Sequence, residues 1–307
     1  MHDLSKYIEL IRSGEVVAFP TETVYGLGAD AWNPAAIKKV FETKGRPSDN
    51  PLIVHVSNIE QVYDFANEIP KTAQKLMEFY WPGPLTIILE KKPKVLDLIT
   101  AGLDTVALRM PDHPLASELI SQTGPLVAPS ANRSGKPSPT KAAHVKNDFG
   151  ENFPVIDGGA TEIGLESTVV DLTTETPLIL RPGMIGEKEL SSILNLEVKT
   201  VSSMEKKPRS PGQKYSHYKP QATVEYGRIK VPKNDTLYLV QKEYDNSENI
   251  ISYNGDLSML SRELYDRFRQ ADLEDYSTIF IENIDDHKNN FPSFYSALLN
   301  RIQKAKG

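Results

Sequence analysis

Lys44-Gly45-Arg46 and, far downstream, Ser130-Ala131-Asn132 each place polar, anion-seeking groups where a regular apolar element stops, and two such endings suggest one anion-binding cleft. Arg109 and Arg181 have the same character. The first closes the run Thr105-Val106-Ala107-Leu108 and the second closes Leu178-Ile179-Leu180. A guanidinium on a short β-rich run is costly to bury without an anionic partner, so each asks for a carboxylate or a phosphate. An internal ion pair with Asp or Glu would satisfy any one of them equally well. Together, and beside Ser130 and Asn132, the four cations favour a polyanionic ligand.

The elements that must position these groups can be read from pattern. Val16-Val17-Ala18-Phe19-Pro20 is a buried strand. Asn33-Pro34 then opens a helix, with a side-chain cap followed by proline at the first helical position. Ile37, Val40 and Phe41 fall on one face, Lys38, Lys39 and Glu42 on the other, and Gly45 supplies the left-handed stop, so Lys44 and Arg46 sit at the exit. Strands are expected at Leu52–Val56, Leu85–Leu89, Thr105–Met110, Leu126–Ala128, Ser167–Leu172 and Leu178–Arg181, and a helix ends near Trp81-Pro82-Gly83-Pro84. Alternation puts Thr105, Ala107 and Arg109 on one strand face and Val106, Leu108 and Met110 on the other. One face is chemical and the other is core.

Residues 204–233 form a linker by composition, with Pro208, Pro211, Gly212 and Pro220 among Lys206, Lys207, Arg209, Lys214 and Lys219. Tyr215-Ser216-His217-Tyr218 tilts that reading from plain tether towards lid, since aromatics and a histidine are unusual in a tether. Beyond it, Thr236–Val240, Ile250–Tyr253 and Ser277–Ile281 alternate as strands with helices near 257–271 and 291–304, which gives a small, mostly parallel α/β unit. The expected domains are therefore 1–203, a linker or lid at 204–233, and 234–307.

Composition narrows the function. The 307 residues suit two units, and 35 Lys plus Arg against 41 Asp plus Glu give a net charge of −6, so any RNA contact must be local. The chain has no cysteine, which excludes disulfides, thiolate zinc sites and a cysteine nucleophile. The six histidines lack metal-site spacing, and no protein metal site is expected. No basic leader precedes an apolar stretch and no run is long enough to span a bilayer, so a cytoplasmic protein is expected. Gly26-Leu27-Gly28-Ala29-Asp30-Ala31 has the look of a dinucleotide fingerprint, but the capped helix starts only at Asn33, too late for its N-terminus to meet a pyrophosphate. Those glycines are expected to serve a tight turn or a close backbone approach to a ligand. No phosphate-binding loop ending in Gly-Lys-Ser or Gly-Lys-Thr exists.

In this order the pieces resemble the YrdC-type threonylcarbamoyl-adenylate synthases, in their longer form with an added C-terminal domain. The matching residues are Pro20-Thr21-Glu22-Thr23-Val24-Tyr25-Gly26-Leu27, Lys44-Gly45-Arg46-Pro47, Asn50-Pro51-Leu52, Trp81-Pro82-Gly83-Pro84-Leu85-Thr86 and Arg109-Met110-Pro111. They continue with Ser130-Ala131-Asn132-Arg133-Ser134-Gly135, Glu166-Ser167-Thr168-Val169, Arg181-Pro182-Gly183 and Ser210-Pro211-Gly212-Gln213-Lys214-Tyr215-Ser216-His217-Tyr218. The match covers roughly the first 220 residues, while the tail agrees in position and coarse pattern alone.

The resemblance implies an α/β fold: a large twisted mixed sheet around a basic cleft, then a small Rossmann-like C-terminal domain. It implies L-threonine, bicarbonate or CO2, and ATP as substrates, with threonylcarbamoyl-adenylate and pyrophosphate as products. Downstream enzymes pass the threonylcarbamoyl group to a tRNA adenosine; a direct tRNA contact is not required. Carried over by position, Thr23, His55, Arg109 and Ser167 hold threonine, with Arg109 on its carboxylate. Arg46, Asn50, Thr105, Ser130, Asn132, Thr140, Arg181 and Tyr218 hold ATP. Lys44 and Arg46 are the expected catalytic pair, neutralising charge that builds on the phosphates, and Mg2+ rides on the triphosphate. Two alternatives stand beside this. The hydrogenase-maturation carbamoyltransferase embeds a similar domain but needs zinc-binding cysteines, which this chain lacks. An RNA-binding module could use the same basic cleft, against the net acidity.

Overall fold

The computed structural model describes residues 3–201, 218–229, 232–244 and 247–307. The chain runs through α1 (Ser5–Arg12), β1 (Val17–Phe19), β2 (Gly26–Asp30), α2 (Pro34–Lys44), β3 (Ile53–His55), α3 (Val62–Phe65), α4 (Lys71–Tyr80), β4 (Leu85–Glu90), α5 (Asp97–Thr100), β5 (Thr105–Arg109), α6 (Pro114–Thr123), β6 (Leu126–Val127) and α7 (Ala142–Phe149). It continues through β7 (Thr168–Asp171), β8 (Leu178–Arg181), α8 (Glu187–Leu194) and β9 (Lys199–Thr200), which completes a nine-stranded mixed sheet ordered β1-β2-β6-β3-β5-β4-β7-β8-β9. A second sheet follows from β10 (Thr223–Gly227), β11 (Thr236–Val240), β12 (Ile250–Ser252), α9 (Leu257–Leu273), β13 (Thr278–Glu282) and α10 (Pro292–Lys306). Its order is β10-β13-β11-β12, and every pairing is parallel.

Helix α2 forms as its caps dictate. Asn33 accepts from the amides of Ala35 and Ala36, Pro34 opens the helix, and Gly45 closes it in the left-handed region at φ 62°. Its apolar face, Ile37, Val40 and Phe41, enters the main core. That core also takes Val106 and Leu108 from β5, while Ala107 packs on the opposite sheet face with Ile53, Ile88, Val169 and Leu180. Thr105, Ala107 and Arg109 therefore share the face away from the main core, as alternation predicts.

Two sequence expectations are corrected by the fold. Gly26 to Asp30 is a strand antiparallel to β1 and not a turn or ligand-approach loop. A Cβ at Gly28 would stand 2.8 Å from the Phe19 ring, so this glycine makes room for an aromatic of the neighbouring strand. The C-terminal sheet also begins before residue 234: β10 lies inside the stretch assigned to the linker and pairs along its length with β13. The remainder of the expected lid, residues 204–217, lies outside the described residues.

The two sheets are joined by charge. Arg269 on α9 makes paired bonds to the Asp148 carboxylate at 2.8 and 3.2 Å, and Lys141 and His144 both meet Asp266. Gly164, at φ +80°, lies so close under α9 that an added Cβ would stand 2.4 Å from the Arg262 Cα.

Candidate active site

One cleft opens where the carboxyl ends of β3, β5 and β8 meet the loop after β6. Arg46, His55, Arg109, Ser130, Arg181 and Tyr218 line it, together with Glu166. Its three arginines reach it by different routes. Arg46 follows the Gly45 stop and donates through Nη2 to the carbonyls of Asn50 and Pro51, at 3.2 and 3.0 Å. Arg109 ends β5 beside His55 of β3, its register partner. Arg181 is brought in by a bulge: Val169 pairs with Arg181 while Val170 pairs with Ile179, which leaves Leu180 as the extra residue. Without it, Arg181 would share the core face of Ile179; with it, Arg181 faces the cleft.

The arginines differ in partners. Arg109 Nη2 stands 2.7 Å from Glu22 Oε1, both side chains about 5% exposed, and its Nε donates to the Gly83 carbonyl at 3.3 Å. Arg181 donates to Ser167 twice, through Nε to the carbonyl at 3.0 Å and through Nη2 to the hydroxyl at 2.9 Å. Among the described residues no carboxylate lies within ion-pair distance of Arg181. Burial pushes its guanidinium down from the ordinary arginine range, which marks a site suited to an incoming anion.

His55 is buried, and burial together with the charges of Arg109 and Arg181 holds its imidazole down at about 3, so it is neutral at physiological pH. Nδ1 lies 3.3 Å from the Ile53 carbonyl. A proton placed on Nδ1 for that contact leaves Nε2 as an acceptor. Asn50 is fully buried, yet neither atom of its carboxamide has a hydrogen-bond partner, and Asn132 Oδ1 is in the same position. Both flank residues of the lining, Pro51 and Ser130, and a buried amide needs a partner, from water or from a ligand.

This geometry agrees with the comparisons. Residues 9–183 match the Sua5/YciO/YrdC family, described as Telomere recombination, and residues 185–307 match the threonylcarbamoyl-AMP synthase C-terminal domain. The threonylcarbamoyl-AMP synthase of Pyrococcus abyssi is 43% identical over 97% of this chain and 92% of its own length. The chain belongs to the Sua5/YciO/YrdC family. The Bacillus subtilis threonylcarbamoyl-AMP synthase is 55% identical over 69% of this chain, a stretch that spans 63% of that protein. The crystal structure of Pyrococcus abyssi Sua5 complexed with L-threonine superposes with a TM-score of 0.89 at 38% identity, covering 99% of this chain and 94% of that one.

Within this Sua5-type site, the other sequence-predicted residues stand behind the cleft lining, apart from Tyr218, which borders it. Lys44 departs most from expectation. Its ammonium does not border the cleft; it is buried and donates to the carbonyls of Ser130 and Asn132 at 2.5 and 2.6 Å. Burial and the charge of Arg46 push its pKa well below the usual lysine range. Lys44 thus pins the Ser130–Asn132 turn to the end of α2. Ser167 bonds Thr86 at 2.8 Å and Arg181, and Thr23 bonds Thr21 at 2.8 Å. Thr140 leans on His144, its amide 3.1 Å from Nδ1. Thr105 sits at the far end of β5 from Arg109, opposite Glu90, and does not border the cleft. Tyr218 is buried at φ 69° and stacks on Tyr265 of α9, ring centroids 5.2 Å apart. Glu22 and Glu166 fall inside the motifs that carry the family resemblance, and pattern alone assigns neither a role. Their signal was present, since buried arginines ask for carboxylates, but the pairing partners lie far apart in the chain.

Proposed function

We propose that this chain condenses L-threonine, bicarbonate or CO2, and ATP into L-threonylcarbamoyladenylate and pyrophosphate, for threonylcarbamoyl modification of a tRNA adenosine. The observation that carries the reading is the convergence of Arg46, Arg109 and Arg181 on one cleft that also holds a neutral histidine. The amine of threonine adds to CO2 to give a carbamate, whose oxygen attacks the α-phosphate in line as pyrophosphate leaves. No protein nucleophile is needed; alignment of two anions and compensation of phosphate charge suffice.

In this reading Arg109 takes the threonine carboxylate and His55 Nε2 accepts from its ammonium. Ser167, Thr23 and Lys44 act by holding neighbours in place. Arg46 and Arg181 face the phosphates, while Asn50 and Asn132 offer their open amide atoms to the nucleotide. Ser130, Thr140 and Tyr218 complete its surroundings, while Thr105, at the far end of β5, has no place in them. Among the described residues no group of three or more His, Asp and Glu side chains is arranged to hold a metal ion, so Mg2+ is assigned to the triphosphate.

The test is incubation with ATP, magnesium, bicarbonate and either L-threonine or L-serine, with pyrophosphate release and product mass followed together. Release that needs both threonine and bicarbonate, with a threonylcarbamoyl-adenylate mass, is the expected result. A folded protein that forms no adenylate, and binds tRNA with steep salt dependence, would overturn it in favour of the RNA-binding module.

A further inference from the structure

The C-terminal unit reaches the wall of the cleft through two fully buried side chains, Arg301 and Tyr265. Arg301 of α10 donates through Nε to Glu166 Oε2 at 2.8 Å and through Nη1 to the Pro182 carbonyl at 2.9 Å. Tyr265 of α9 donates to the same Oε2 at 3.0 Å, and Ser138 donates to Oε1 at 2.6 Å. Glu166 precedes Ser167 and Pro182 follows Arg181, so Arg301 grips the neighbour of each partner in the Arg181–Ser167 contact.

The charge arrangement gives this grip a consequence. Glu166 is a carboxylate in the lining of a cleft whose proposed ligands are anions. Burial alone would raise its pKa, but the guanidinium groups of Arg301 and Arg181 outweigh that and hold it at about 2, so it is ionised. A buried carboxylate requires a cation, and two are near. Arg301 makes the ion pair, while Arg181 turns to Ser167 and keeps no carboxylate partner among the described residues.

We infer that Arg301 is a positioning residue: by taking up the charge of Glu166 it leaves Arg181 to the anionic ligand of the cleft, so that the docked C-terminal unit sets nucleotide affinity. Without Arg301, Glu166 and Arg181 become each other's best partner and the guanidinium is withdrawn from phosphate. This rests on the assignment of Arg181 to the nucleotide.

The test is calorimetric titration of the full chain with magnesium ATP and, separately, with L-threonine, alongside circular dichroism melts. Arg301→Gln is expected to weaken ATP by about tenfold, a usual size for coupling between sites, and threonine by less than about threefold. Arg301→Lys, which keeps the charge, is expected to hold ATP affinity near that of the unmodified chain. Adding Glu166→Gln to Arg301→Gln removes both charges and is expected to recover most of the loss. Unchanged ATP affinity in Arg301→Gln, equal loss of ATP and threonine, or a folded double variant as weak as the single would each overturn the inference. If Arg301→Gln fails to fold, the Lys variant and the double variant decide on the same readings. An unmodified chain that binds threonine but no ATP would instead sink the nucleotide assignment on which the inference stands.

Discussion

Arg109 Nη2 and Glu22 Oε1 face each other at 2.7 Å as an ion pair outside hydrogen-bond geometry, and neither atom makes a hydrogen bond elsewhere. The pair neutralises a buried cation while leaving donor capacity on the guanidinium, which is what a transient carboxylate ligand requires. Breaking a buried pair from one side leaves the other charge uncompensated. Arg109→Ala is therefore expected to cost roughly 3–5 kcal/mol of stability, and Arg109→Ala with Glu22→Ala markedly less. Threonine-dependent turnover is expected to be lost in both. Urea unfolding of the two variants beside the unmodified chain measures this; a double variant as unstable as the single would show that the two charges are not coupled.

Lys44 and Arg46 are two residues apart but carry different expectations. Removing the Lys44 ammonium strips two buried carbonyls, those of Ser130 and Asn132, of a donor. Each stranded group costs about 1–3 kcal/mol, so Lys44→Met is expected to lower stability measurably and to loosen ATP through the displaced turn. Arg46 is only half-buried, and its contacts to Asn50 and Pro51 are longer. Arg46→Ala is expected to cost about 1 kcal/mol or less while reducing turnover by at least about a hundredfold. Thermal melts paired with pyrophosphate release separate the two; equal melting temperatures would remove the structural role given to Lys44.

What could be read in advance follows the range over which the deciding interaction acts. Helix α2 was legible from Asn33 to Gly45 because its caps are local. The strand Gly26–Asp30 was not, because two glycines read as a turn until Phe19 fills the space above them. Strand β10 was hidden because Thr223-Val224-Glu225-Tyr226 follows a proline-rich, basic stretch, and its partner β13 lies some fifty residues further on. The cations of the site were legible as a set, but their duties were not. The burial of Lys44, the bulge that turns Arg181 and the Arg301 contact to Glu166 all depend on residues distant in the chain.

His55 sets a pH dependence whose sign follows from its environment. In the unfolded chain the imidazole titrates near 6.5, whereas in the folded protein burial and the charges of Arg109 and Arg181 hold it at about 3. Between these values the unfolded state binds a proton that the native state refuses, so stability is fully present above pH 6.5 and falls as pH drops towards 3. Burial depresses His113 and His144 in the same direction, so the limb is shared. His55→Gln is expected to flatten that limb without abolishing it. Denaturant unfolding between pH 4.5 and 7.5, on the order of one pH unit per step, reads the slope; an unchanged slope would mean that His55 is not held neutral.

Asn50 offers a test in which stability and function are expected to move in opposite directions. Its carboxamide is fully buried with both polar atoms unpartnered by protein groups, an arrangement that penalises the ligand-free protein and that a bound ligand would relieve. Asn50→Leu keeps the branched shape and the number of side-chain heavy atoms and removes the unsatisfied groups. In the absence of ligand it is expected to be as stable as the unmodified chain or more so, by about 1 kcal/mol, while ATP binding weakens by about tenfold. The protection that ATP gives against thermal unfolding should shrink accordingly, because it scales with ligand concentration over Kd. Melting curves with and without magnesium ATP provide both readings. A variant less stable than the parent and equally protected by ATP would make Asn50 a packing residue, and would assign the nucleotide to the arginines alone.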